Sequence, residues 1–261
     1  MTSPETNQTH YISQQALQCK ELNFIVVGAG GTGSQIITGL ASMAHAIHAM
    51  TDKRFRVTAY DPDTVSANNI GRQPYFPADI GRHKTDCLIS RINMAYGLDF
   101  QSMPVRFDGS IRTRHFRSSM DVLISCVDSV ASRQIIATKA QDYDYWLDLG
   151  NSSHTGQWVL GSTSGKPELP MPNELLPELT DPSKEAPDEP SCSMAVSLSK
   201  QSLFINKALT SQALACLWDL IFHGQISIHG QFMDLKSGRA NPININPTVW
   251  KSMGYKPQAT S

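Results

Sequence analysis

An α/β fold with a largely parallel sheet and flanking helices is what three features of the 261-residue sequence predict. A run of β-branched and aromatic residues flows into a glycine turn and a helical stretch. Strand-like and helix-like segments then alternate, and two of the strand-like segments end on an aspartate. The length fits one large domain or one domain with a long insertion.

Residues 23–27 read as the first strand, and Gly28, Ala29, Gly30, Gly31, Thr32 and Gly33 as the turn that opens a helix. Ile36, Ile37, Leu40, Met43, Ala44 and Ile47 recur at helical spacing and give that helix one apolar stripe to lay on a sheet. A strand over 56–60 ends at Asp61. A helix over 84–95, a weaker strand over 102–107, a strong buried strand over 122–126 ahead of Asp128, and a helix over 133–140 follow. Residues 167–191 hold seven prolines, seven acids and one lysine, Lys184, which predicts a long acidic loop. Beyond it, 194–222 reads as a long helical segment stopped by Gly224, and short alternating runs around a Ser237-Gly238 turn read as one or two hairpins. The chain divides on this reading into an N-terminal segment (1–21), a main domain (22–223) and a small β-rich C-terminal extension (224–261).

Hydrophobic residues at 40% and charged residues at 17% exclude a disordered, collagen-like or supercharged chain. Twenty-two basic against 23 acidic residues leave a net charge of -1, so nothing calls for nucleic acid or an anionic membrane as partner. No stretch approaches the roughly 18 apolar residues of a membrane span, and the start is polar, so a cytoplasmic protein is expected. Cys19, Cys87, Cys126, Cys192 and Cys216 are far apart and never spaced Cys-x-x-Cys, which predicts reduced thiols and no zinc clip. Cys126 and Cys216, on a buried strand and an apolar helix, are assigned to the core.

A glycine turn opening a helix lets backbone approach a phosphate, and the helix N-terminus offers free N–H groups and partial positive charge. Alone the motif serves a dinucleotide as readily as ATP, or is only a turn. The cluster downstream is more informative. Asp61 at a strand tip can accept ribose hydroxyls. Asn69, Arg72, Gln73 and Lys84 follow within one connection, with more donors and positive charge than a simple pyrophosphate contact requires. Asp128, at the carboxyl end of a buried strand, stands where open α/β sheets bind ligands. It suits magnesium, which takes one or two carboxylates plus phosphate oxygens, and equally suits a helix N-cap.

Taken together, Gly28 to Gly33, the spacing Asp-x-Asp-x-Val-x-x-x-Asn-x-x-Arg-Gln from Asp61 to Gln73, Lys84, and Cys126-Val127-Asp128 with Arg133 resemble the ThiF, MoeB and ubiquitin-activating enzyme family. The resemblance spans roughly residues 22–223. It implies a Rossmann-like fold that adenylates a C-terminal carboxylate with ATP and magnesium, with 167–191 as a crossover loop. In that scheme the glycines and Asp61 bind the nucleotide, Asn69, Arg72 and Lys84 the phosphates, Gln73 shapes the site and Asp128 holds magnesium. Arg72, Lys84, Asp128 and Cys192 would be the catalytic set.

Pro190-Ser191-Cys192-Ser193, Gln201 to Asn206, Leu217-Trp218, His229-Gly230, Gly238-Arg239 and Pro242 are similar, more narrowly, to the ThiF-related protein of bacterial PRTRC cassettes. That likeness implies a small ubiquitin-like protein as substrate, while the wider family resemblance implies a homodimer and a conjugating-enzyme partner. The chain departs from the wider family in lacking paired Cys-x-x-Cys zinc ligands and the arginine-bearing amino-terminal segment, and in a longer stretch between Gly33 and Asp61. Cys192 stands where the family keeps a crossover-loop cysteine, as a thioester nucleophile or as a packing residue. Other readings are adenylation of a peptide or a tRNA-linked amino acid, a nucleotide-binding scaffold without turnover, and a nicotinamide dehydrogenase.

Overall fold

The computed structural model describes residues 6–109, 119–185 and 202–256. Its elements run β1 (His10–Tyr11), α1 (Gln14–Leu17), β2 (Glu21–Val27), α2 (Gly31–Met50), β3 (Arg54–Tyr60), α3 (Lys84–Tyr96), β4 (Gln101–Met103), β5 (Ser119–Ser125), α4 (Val130–Lys139), β6 (Tyr145–Asn151) and β7 (Thr155–Ser162). There follow α5 (Pro172–Leu175), α6 (Ile205–Trp218), β8 (Gln225–Ile226), β9 (Ile228–Asp234), β10 (Arg239–Asn244) and α7 (Pro247–Ser252). Eight strands form one sheet in the order β10-β9-β7-β6-β5-β2-β3-β4. From β6 to β4 neighbours are parallel, and from β6 to β10 they are antiparallel.

β2 sits centrally, paired in register with β3 and β5, and Leu22, Phe24, Ile25, Val26 and Val27 are all buried. A parallel strand covered on both faces calls for an apolar run such as Phe24 to Val27. On one face, Leu22, Phe24 and Val26 pack with the α2 stripe of Ile36, Ile37, Leu40, Ala44 and Ile47, and with residues of α3 and α6. On the other, Ile25, Val27, Leu123 and Trp146 meet Ile136 of α4. α2 lies close against α6, because a β-carbon on Gly39 would stand 2.2 Å from Leu214 Cδ1. The parallel-strand ends, with the turns that leave them, form the edge on which the site is built.

Several expectations need correction. Residues 167–185 are not an open loop: Leu169, Met171, Leu175, Leu176 and Leu179 are buried. Pro172, Pro177 and Pro182 each stand in the first turn of a short helix, where the missing N–H costs nothing. Residues 186–191 of that stretch lie outside the described residues. The helix expected over 194–222 starts at Ile205 and ends in a π-helical turn at Asp219–His223, which Gly224 stops at φ 70°. Its first part, 194–201, is also outside the described residues. Of the 102–107 segment only Ser102 and Met103 pair as strand, in β4, because Pro104 cannot extend the ladder. The tail does form a hairpin across Ser237-Gly238, yet β9 pairs with β7, so the hairpin extends the main sheet rather than standing apart. β6 and β7, in the middle of the sheet, have no counterpart among the expected strands. Among the described residues no helix is long and apolar enough to cross a membrane.

Candidate functional site

The glycine turn is shaped by close packing. Gly28 has φ +96°, and a β-carbon there would stand 2.5 Å from the Cys126 carbonyl oxygen. One on Gly33 would stand 1.8 Å from the Gly28 carbonyl oxygen. Gly28 N donates to Tyr60 O at 2.8 Å and the Tyr75 hydroxyl donates to Ala29 O at 2.7 Å, so both sides of the turn are tied down. α2 then starts at Gly31 with no side-chain cap, leaving its first amides open to the space above.

That space is a cavity of about 1230 Å³. Gly28, Gly30, Gly31, Asp61, Arg72, Gln73, Lys84 and Asp128 all line it, so eight of the residues expected from sequence converge. Asp61 is buried; its Oδ2 accepts from Ala29 N at 2.6 Å and its Oδ1 from Asp63 N at 2.9 Å. Burial pushes its carboxyl up, opposed by the nearby Lys84 ammonium and by the two amides. Lys84 is buried with its ammonium 2.7 Å from the exposed Asp63 carboxylate. Arg72 Nε and Gln73 Oε1 are buried with no partner. The charged lining is mixed: Arg72, Lys84, Arg106 and Arg133 stand against Asp61, Asp63, Asp128 and Glu185.

Asp128 is exposed at the cavity wall just beyond β5. It does not cap α4: Ser129 does, its hydroxyl accepting from Ser132 N at 3.2 Å. Arg133, buried on α4, also lines the cavity, with Nε 3.1 Å from Asp148 Oδ1.

Two expected residues, Asn69 and Gly33, are not at the cavity. Asn69 turns its Oδ1 back to Ser66 N (2.8 Å) and Ser66 Oγ (3.2 Å), closing a short 3-10 turn, and is absent from the cavity wall. Gly33 serves the close approach under the turn and does not face the cavity. Cys192 lies outside the described residues. Cys126, assigned to the core from sequence, is half-buried and lines the cavity; burial, reinforced by Asp148, pushes its thiol up, so it stays protonated. Cys216 is in the core as expected.

The sequence reading missed Thr32, Asn151, Gln157 and Asn206, which line the α2 side of the cavity, and Arg106, which approaches from beyond β4. Thr32 Oγ1 lies 3.0 Å from Asn151 Oδ1 and 3.1 Å from Asn206 Oδ1, which joins the start of α2 to the end of β6 and the start of α6. The available signal was weak: polar residues at the termini of apolar elements.

The profile of the ThiF family matches residues 7–198, well over half of the sequence. This chain belongs to the ThiF family. It is 25% identical over 169 residues to ubiquitin-like modifier-activating enzyme 5 of Oryza sativa subsp. japonica, an alignment covering 59% of this chain and 36% of that one. This ThiF-family chain therefore spans about a third of that relative's length. Its fold is that of a crystal structure of PaaA (TM-score 0.58, 16% identity, 88% of this chain and 65% of that one). It is also that of E. coli MccB with ATP (TM-score 0.57, 13% identity, 88% and 66%).

Proposed function

We propose that this ThiF-family protein activates a carboxylate by adenylation: a carboxylate oxygen attacks the α-phosphorus of ATP, pyrophosphate leaves, and an acyl adenylate remains. The observation behind this reading is that Arg72, Gln73, Lys84, Asp61 and the uncapped start of α2 all line one cavity. The residues suit the nucleotide. Asp61 keeps acceptor capacity on both oxygens for ribose hydroxyls, and Arg72, Lys84 and the α2 amides supply donors for phosphate oxygens. Asp128 offers the single carboxylate that magnesium needs when phosphates complete its shell, and magnesium bound there would neutralise charge developing on the leaving phosphates. The protein's part is positioning and charge stabilisation, and no general base is required.

The substrate in this proposal is the C-terminus of a small ubiquitin-like protein, as the narrower likeness to the PRTRC ThiF protein implies, with the enzyme a cytoplasmic homodimer. A later attack by Cys192 on the acyl adenylate, releasing AMP and the thiol proton, would give a thioester for a conjugating-enzyme partner.

Exchange of labelled pyrophosphate into ATP tests the reading. It should require magnesium and the carboxylate partner together, and Asp128→Ala should abolish it while the fold is kept. Normal exchange in that variant would sink the magnesium assignment. Exchange supported by a free peptide but by no ubiquitin-like protein would assign a peptide carboxylate. Cys192→Ser should leave exchange nearly unchanged and block transfer.

A further inference from the structure

A line of buried polar side chains runs behind the cavity wall. Trp146 Nε1 donates to Ser125 Oγ at 2.8 Å, Ser125 Oγ donates to Asp148 Oδ1 at 2.5 Å, and Arg133 Nε donates to the same oxygen at 3.1 Å. Strand register assembles it. Ser125 and Asp148 are partners across the parallel β5–β6 pair, and Trp146 shares a strand face with Asp148 two residues on. Trp146 and Ser125 are fully buried and Asp148 is 1% exposed. Asp148 does not line the cavity, whereas Arg133 does.

The guanidinium continues outward. Arg133 Nη2 reaches Leu149 O at 3.4 Å and Nη1 reaches Asp128 O at 3.5 Å. One side chain thus spans the end of β6 and the turn after β5. A planar, delocalised fork can hold several acceptors at once only if its own orientation is set. Its one ionic anchor among the described residues is Asp148, whose second oxygen, Oδ2, is buried with no partner. A buried carboxylate left half-satisfied is poor stabilisation, since an apolar pair of similar volume commonly does as well. The arrangement makes sense instead as alignment: the carboxylate meets the inner edge of the guanidinium, and the outer edge faces the turn and the cavity.

Resting on the nucleotide reading above, we propose that Asp148 is a positioning residue. It orients Arg133, and through the Arg133 contact to the Asp128 carbonyl it sets the turn that presents the Asp128 carboxylate to magnesium-bound nucleotide.

The test is calorimetric binding of ATP to the full chain, once with excess magnesium and once with EDTA. The wild type should bind more tightly with magnesium. Asp148→Ala should lose about tenfold in affinity with magnesium and stay within about twofold in EDTA, because only the metal arm depends on the turn. Asp148→Asn keeps an acceptor for Arg133 Nε and should recover most of the magnesium advantage. In an Arg133→Gln background, Asp148→Ala should have no further effect, since the first residue acts only through the second. If Asp148→Ala fails to fold, Asp148→Leu, which fills the buried space, takes its place and should show the same magnesium-selective loss. Equal losses in both conditions, or a retained magnesium advantage, in Asp148→Ala or its Asp148→Leu substitute would overturn the positioning role. A wild type that binds no ATP in either condition would overturn the nucleotide reading itself, and this proposal with it.

Discussion

Replacing Gly33 with alanine puts the geometry of the glycine turn under direct strain. The new β-carbon would stand 1.8 Å from the Gly28 carbonyl oxygen, 2.7 Å from its carbon and 3.2 Å from Cys126 Cβ. Ordinary contact is about 3.5 Å, so the turn would have to open by roughly 1.7 Å. Every escape route is blocked by a bond: Gly28 is held by Tyr60, and Ala29 by Asp61 and Tyr75. Overpacking against fixed main chain costs about 3 kcal/mol, and the roughly 1 kcal/mol by which alanine outdoes glycine in a helix offsets only part of it. Gly30 is the control. Its φ is -74° and a β-carbon there would have no atom within 4 Å, so Gly30→Ala should stay within about 1 kcal/mol of wild type. Urea denaturation of both variants, with slopes compared, measures the difference. Gly33→Ala within about 1 kcal/mol of wild type, or Gly30→Ala equally damaged, would refute the packing argument.

Burial holds His229 neutral, with its pKa down at about 4 from the usual 6.5. The unfolded chain therefore binds the proton first, and stability should fall as pH drops below 6.5, by about 2 kcal/mol at pH 5, levelling off below 4. Urea denaturation across this range should give a flatter profile for His229→Gln. Tyr75→Phe removes the hydroxyl that donates to Ala29 O and leaves that carbonyl buried and unpaired; a loss of about 1–2 kcal/mol is expected in the same assay. Lys84→Met should weaken ATP binding at least about tenfold, measured by calorimetry, and should lower the melting temperature, because the buried Asp61 carboxylate loses its nearby cation although Asp63 stays in water.

The elements that were legible from sequence share a property: their pattern reports their own surroundings. β2 is covered on both faces and its second half, Phe24 to Val27, reads as an unbroken apolar run, and α2 shows its buried stripe at helical spacing. β6 and β7 were illegible for the complementary reason. The run Tyr145 to Leu149 is interrupted by Asp148, which looks like a break until its ion pair with Arg133 is known. β7 contains Gly156 and Gly161, ordinarily strand-weakening, and Gly161 is there because a β-carbon would stand 2.6 Å from Met171 Cα. Likewise the prolines of 167–185 suggest a loop, when their spacing matches the starts of three short turns that bury the leucines between them.

The site divides along the same line. Asp61, Arg72, Gln73 and Lys84 lie in one connection, so spacing alone groups them. Asn69 shows the limit of that logic, because a carboxamide in the same connection as Arg72 is chemically as able to close its own turn as to meet a ligand, and here it closes the turn. Thr32, Asn151 and Asn206 come from three distant segments and meet only because β6 ends beside the start of α2. Arg133 belongs with these. Its spacing from Asp128 is visible in the sequence, but its orientation depends on Ser125 and Asp148 being level across two strands. A one-residue slip in that pairing would move Asp148 to the opposite face of the sheet and leave the guanidinium without its anchor. The chemistry of the cavity wall is therefore a consequence of strand register, which no local pattern of residues records.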